Sequence, residues 1–193
     1  MNVFDFDGTI YNGDSSFDFV RYCLKKYPKT RRHIPSILWY GAGYGLKIVK
    51  KKTFKQKLFA IVSKIENLAG AVADFWAINK SKIKKWYLDM KKPSDVIISA
   101  SPEFLLAPIC GELGVECMMG TKVNEKTGLF ESENCVGEEK VVRFYEVYPD
   151  GVIDEFYSDR YVDTPVARIA KKAIFVKGNK LLPWKKGLKK ANA

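Results

Sequence analysis

At 193 residues, 47% apolar, with a net charge of +11, the chain has the size and composition of one globular core, or of a core with a small insertion. No apolar run reaches the roughly 18 to 20 residues that a spanning helix needs, and Asp5 and Asp7 stand where a cleavable signal would place its apolar stretch. Cys23, Cys110, Cys117 and Cys135 have no C-x-x-C spacing and His33 is the only histidine, so a zinc site is not expected and the thiols read as reduced, in a cytoplasmic protein.

The first strand begins at Val3-Phe4 and runs into Asp5-Phe6-Asp7-Gly8-Thr9. Residues i and i+2 of a strand point to one face. If the strand breaks there, both carboxylates look into one crevice, at the sheet edge where open α/β folds bind ligands. Gly8 permits the sharp turn. The plainer alternative is a strand-to-loop turn with two solvated acids.

Asp14-Ser15-Ser16 reads as a helix N-terminus, followed by Phe17, Val20, Leu24 and Tyr27 at helical spacing and closed by Pro28. A second helix starts near Lys29-Thr30 and holds the run Ile34 to Leu46, weakened by Gly41, Gly43 and Gly45. Arg31-Arg32 precede this aromatic run and Lys50-Lys51-Lys52 follow it. That pattern suits a helix lying in a membrane interface. It equally suits Trp39 and Tyr44 packing inside a helical subdomain.

Thr53 is the expected cap of a third helix with Phe54, Leu58, Ile61, Val62 and Ile65 as its stripe, and a fourth helix is expected from Ala69 to Met90. Between Gly13 and Lys92 there are 19 Lys and Arg against 5 Asp and Glu, a surplus of 14. The remainder of the chain is slightly acidic. A segment this basic favours phosphate-rich partners: anionic membrane, nucleic acid or a phosphorylated substrate.

Sheet patterning resumes at Ser94–Ser99. The expected order is then a helix from Pro102 to Gly111, a strand at Val115–Met118, a hairpin from Thr121 to Cys135, a helix from Gly137 to Tyr148, a strand at Val152–Ser158, a helix from Thr164 to Lys172 and a last strand at Ala173–Val176. The tail from Lys177 reads as short, basic and loose at its end. Alternating strands and helices imply an α/β fold with a doubly wound parallel sheet. Residues 1–12 and 93–193 would form its core, and residues 13–92 a helical cap over the active edge.

Four points of the chain fall at strand ends or helix starts near that edge: Asp5 with Asp7, Ser99 with Ala100-Ser101, Lys140, and Asp159 with Asp163. The stretches D-F-D-G-T-I, V-I-I-S-A-S-P, G-E-E-K-V and Y-S-D-R-Y-V-D resemble, in order, the four motifs of haloacid dehalogenase-like phosphatases, in the phosphoserine-phosphatase-like subclass with a helical cap. The resemblance implies a Rossmann-like core and a Mg²⁺-dependent phosphomonoesterase. Asp5 would attack phosphorus to form an aspartyl-phosphate, and Asp7 would act as general acid and then base. Asp5, the Asp7 carbonyl and Asp159 would hold Mg²⁺, with Asp163 supporting that shell or orienting Lys140. Ser99, Ala100 and Lys140 would bind the phosphoryl group. Competing readings stand beside these: Ser99 or Asp163 as a helix cap, Lys122 in place of Lys140, and Asp14 as a substrate contact rather than an N-cap. Ser158 departs from the glycine of many relatives.

The stretches S-S-F-D-F-V-R-Y-x-L-K-K-Y-P and Y-S-D-x-x-x-D-x-P also resemble C-type phosphatidylglycerophosphate phosphatases. The first expectation is therefore a lipid phosphate processed at an anionic membrane, the protein lying peripherally at its inner face. The second is a small soluble phosphomonoester. The third is a non-enzymatic module that binds membrane or nucleic acid, against which the intact acids argue. No nucleic-acid partner is expected, since no recognisable motif for one is present.

Overall fold

The computed structural model describes residues 1–185 and 187. Its strands are β1 (Asn2–Phe4), β2 (Val96–Pro102), β3 (Cys117–Thr121), β4 (Ile153–Ser158), β5 (Ala170–Lys177) and β6 (Lys180–Pro183). They form one sheet in the order β3-β2-β1-β4-β5-β6. The first five run parallel, and β6 returns antiparallel to β5. The chain winds outward from β1 through β2 to β3, then resumes on the other side of β1 at β4. The carboxyl ends of β1 and β4 thus flank the reversal point, where such sheets bind ligands.

Central strands buried on both faces read as apolar runs. Phe4, Ile97 and Tyr157 face one layer, and Val3, Val96, Ile98 and Phe156 face the other. The second layer is α7 (Glu138–Val147) and α8 (Thr164–Ile169), which contribute Phe144, Val166 and Ala167. The first layer contains α6 (Glu103–Glu112) and helices from the long segment between β1 and β2. That segment forms α1 (Ser15–Lys26), α2 (Ile34–Gly45), α3 (Lys51–Phe59), α4 (Leu68–Asn79) and α5 (Lys85–Met90). Its core is continuous with the sheet's: Trp76 meets Phe6 and Tyr11 edge-on and donates to the Leu105 carbonyl at 2.6 Å.

Several expected elements take a different form. The buried face of α1 is Phe19, Val20 and Cys23, whereas Phe17 is exposed. Lys50 rather than Thr53 precedes α3, while its stripe from Phe54 to Ile65 is buried as expected. The helix expected from Ala69 to Met90 breaks at residues 80–84. There the backbone serves the segment after β1: Lys84 N donates to the Ile10 carbonyl at 2.8 Å, and Asn12 N to Lys82 at 2.9 Å. The hairpin over 121–135 is a loop with one bridge, Val123 to Phe130. The Asn124 side chain draws in the amides of Lys126 and Thr127 and folds the turn locally. The helix from Thr164 ends at Ile169, because Ala170 to Lys172 already pair with β4.

After Lys177 the chain returns along the sheet edge as β6. Leu181 and Leu182 pair with β5, and Trp184 is buried against Phe156 and Phe175. The expectation for Lys186 and for 188–193 falls outside the described residues. All four cysteines are free. Among the described residues no helix is long and apolar enough to cross a membrane.

Candidate active site

Just past β1, Asp5 stays tied to the sheet by its amide, which donates to the Tyr157 carbonyl at 2.9 Å. The chain then turns at Gly8, whose φ is +73°. A Cβ there would lie 2.1 Å from Asp159 Oδ2, so no larger residue fits without displacing that carboxylate. Lys84, from the segment between α4 and α5, donates to the Gly8 carbonyl and holds the turn from above.

Asp5 and Asp7 line one cavity of about 220 Å³ together with Ser99, Ala100, Lys140 and Asp163. The expected pair therefore does face one crevice. Lys140, on the first turn of α7, is fully buried and donates to Asp5 Oδ1 at 2.7 Å and to Asp163 Oδ2 at 2.9 Å. Burial works against this ammonium, but the two carboxylates outweigh it and hold its pKa above the ordinary lysine value. The rival Lys122 is exposed.

Asp163 precedes α8 but its side chain does not cap that helix. Its carboxylate accepts from Lys140, from Ser158 Oγ at 2.9 Å and from Gly137 N at 3.3 Å. The serine that departs from glycine thus has a partner of its own. Ser99 is buried and its hydroxyl accepts from Ser101 N at 3.1 Å. It caps no helix, since α6 starts four residues later, after Pro102. The Ala100 carbonyl accepts from Lys55 Nζ at 2.8 Å and Thr121 Oγ1 at 3.0 Å, which fixes the last part of β2 beside Ser99. Asp14 caps α1, accepting from Phe17 N at 3.0 Å, and also lines the cavity.

Asp7 is held by serines whose contact with it the sequence did not predict. Ser15 N donates to Oδ1 at 2.7 Å and Ser101 Oγ to Oδ2 at 2.5 Å, with Ser16 Oγ 2.7 Å behind Ser101. A hydroxyl can donate to a carboxylate or accept from a carboxylic acid, so Ser101 suits either protonation state. Burial first, then the Asp14 charge, pushes the Asp7 carboxyl up to about 7. It can therefore gain and lose a proton near neutral pH. A D-S-S helix start signals a cap, and its second role on Asp7 appears only once the chain has folded.

Asp159 follows β4 on the other side of the Gly8 turn and opens onto an adjoining shallow cleft with Gly8, Tyr161 and Phe175. Its backbone is placed by the amide, which donates to Thr9 Oγ1 at 2.9 Å. Its Oδ1 is buried without a hydrogen-bond partner. Burial and then the Asp5 charge push this carboxyl up to about 6. An unpartnered carboxylate oxygen beside a second carboxylate is a site that a divalent cation satisfies. Among the described residues no three acid, His or Cys side chains converge on one point. A Mg²⁺ ion, which takes one or two carboxylates and keeps its waters, does not require such a cluster.

Residues 3–168 match the family model of haloacid dehalogenase-like hydrolases. Protein CicA of Caulobacter vibrioides (strain NA1000 / CB15N) is 30% identical over 183 aligned residues, covering 87% of this chain and 82% of that protein. Among solved structures, a protein of unknown function from Bordetella pertussis Tohama I superposes with a TM-score of 0.76 at 18% identity, over 91% of this chain and 88% of that one. A phosphoserine phosphohydrolase-like protein from Francisella tularensis subsp. tularensis SCHU S4 superposes at 0.59 with 19% identity, over 91% and 87%.

Proposed function

The chain belongs to the haloacid dehalogenase-like hydrolases, and from that premise we propose that it is a Mg²⁺-dependent phosphomonoesterase working through an aspartyl-phosphate on Asp5. The observation that carries this reading is Asp5 and Asp7 on one cavity, the first beside a buried ammonium and the second titrating near neutrality.

Asp5 attacks phosphorus through its carboxylate, and the bond from phosphorus to the ester oxygen breaks. Asp7, protonated, gives its proton to the departing oxygen. Asp7, now a carboxylate, takes a proton from the water that cleaves the aspartyl-phosphate. Ser99 and the backbone around Ala100 orient the phosphoryl oxygens. Lys140 offsets negative charge at Asp5, and Asp163 holds it there. The Asp5 carboxylate, the Asp7 carbonyl and Asp159 would hold Mg²⁺, which supplies the charge neutralisation an anionic nucleophile needs to approach a phosphate dianion. Residues 13–92 act as the cap over this site. Phosphate release from 4-nitrophenyl phosphate, with Mg²⁺ and with EDTA, tests the reading.

One observation favours a lipid phosphate over a small soluble ester. Helix α2 buries no residue completely. Its Ile37 and Tyr40 rest on the core and Tyr44 stacks on Phe54, but Trp39 is 79% exposed, with Leu38, Leu46 and Ile48 beside it in sequence. Arg31, Arg32, Lys47 and Lys50 are exposed on either side. An apolar face flanked by cations fits an anionic membrane surface.

A further inference from the structure

The cavity over Asp5 has a buried floor and an open mouth, and the mouth carries charge that the hydrolysis does not use. Lys51 of α3 and Arg160, just after β4, line it with Phe17, Tyr44 and Phe54. Lys51 is half-buried and Arg160 exposed. Among the described residues neither side chain has an ion pair or a hydrogen-bond acceptor. The other two cations of the cavity are committed, Lys140 to two carboxylates and Lys55 to the Ala100 carbonyl.

We propose that the substrate's leaving group carries a second anion, and that Lys51 and Arg160 bind it. The proposal rests on the phosphomonoesterase reading only in that the first anion, the phosphoryl group, occupies the floor at Asp5. Two unpaired cations facing one cavity repel each other and favour an anion between them. Burial and then Arg160 lower the Lys51 pKa, against the opposing pull of Asp14, Asp163 and Asp5. Arg160 offers a planar fork suited to a carboxylate or phosphate, and Lys51 a point charge. One cation comes from α3 and the other from the segment after β4, so an anion between them also ties those two segments together. The stacked Tyr44–Phe54 pair, with centroids 5.4 Å apart, and Phe17 beside it give the rest of the leaving group an apolar wall.

Non-hydrolysable phosphonates test this without turnover. The full chain in Mg²⁺ buffer is titrated by calorimetry with propylphosphonate, 3-phosphonopropionate and propane-1,3-bisphosphonate. The two-anion probes should bind about tenfold tighter or better, the scale of one charge-assisted hydrogen bond. Lys51→Gln and Arg160→Gln should each remove most of that preference, and Arg160→Lys should restore part of it. Equal affinity for the three probes, including no binding by any, or a preference intact in both glutamine variants, would overturn the proposal. Vesicles of phosphatidylglycerol should compete with the bisphosphonate if the anion belongs to a lipid headgroup, and should not if it belongs to a free metabolite. Preference without phosphate release from any ester would remove the phosphatase reading and leave the second-anion site standing. Release without preference would do the reverse.

Discussion

Lys140 Nζ lies 2.9 Å from Asp163 Oδ2 while donating to Asp5 at 2.7 Å, so one buried ammonium bridges the carboxylates that follow β1 and β4. Removing it strands two buried acids. Lys140→Met should therefore destabilise the fold by about 3–5 kcal/mol, the usual cost of breaking a buried pair from one side. Urea denaturation of the metal-free protein measures it, and a change below about 1 kcal/mol would mean that solvent already screens the pair.

Asp163→Asn keeps the shape of the side chain but removes the charge that steadies Lys140. Turnover should fall more than substrate binding does, because the ammonium is displaced from Asp5 and not from a ligand contact. Steady-state kinetics separate kcat from KM. An effect confined to KM would place Asp163 at the substrate instead.

Asp7→Asn should slow alkyl phosphates by about 10²- to 10⁴-fold, the range for a lost general acid. An activated aryl ester needs less protonation and should lose less in single-turnover phosphorylation. Equal losses for both esters would exclude the general-acid role.

The same residue gives a signature in stability. Its carboxyl titrates near 3.8 when unfolded and at about 7 when folded. The folded state holds the proton more tightly, so the stability it contributes is full below pH 4 and is lost as pH rises towards 7. In EDTA, the Tm advantage of Asp7→Asn over the native protein should grow across that window and level off above it. A difference that stays flat from pH 4 to pH 8 would show that Asp7 titrates normally.

Trp39→Ala should change stability by no more than about 0.5 kcal/mol, since the ring is largely in solvent. It should weaken flotation with anionic vesicles, and salt should weaken it further. No flotation at low salt would favour a soluble substrate.

The positions proposed for catalysis stand out in the sequence because each sits where a local rule breaks. Asp5 and Asp159 directly follow strands, Ser99 stands where the apolar run of β2 gives way to small polar residues, and Lys140 follows a helix-starting glycine. The residues that hold these groups were hidden. Lys55 and Lys84 act across 45 and 76 positions of sequence, and nothing local distinguishes them from solvated lysines; Ser101 stands in the V-I-I-S-A-S-P stretch, but its contact with Asp7 spans 94 positions. The break at 80–84 has no local signal either, since the partner that claims its backbone is the turn at residues 10–12. Strand β6 escaped notice because Leu-Leu-Pro is short, and only β5 gives it a register.

Acid-quenching the protein during turnover of 4-nitrophenyl phosphate with Mg²⁺, then mapping the phosphorylated residue by mass spectrometry, tests whether Asp5 is the nucleophile. An acid-stable, hydroxylamine-labile phosphoryl group is expected on the peptide containing Asp5. A folded Asp5→Asn protein should carry none and show no turnover. Near-native phosphate release by Asp5→Asn, or a phosphoryl group on another residue, would contradict that role.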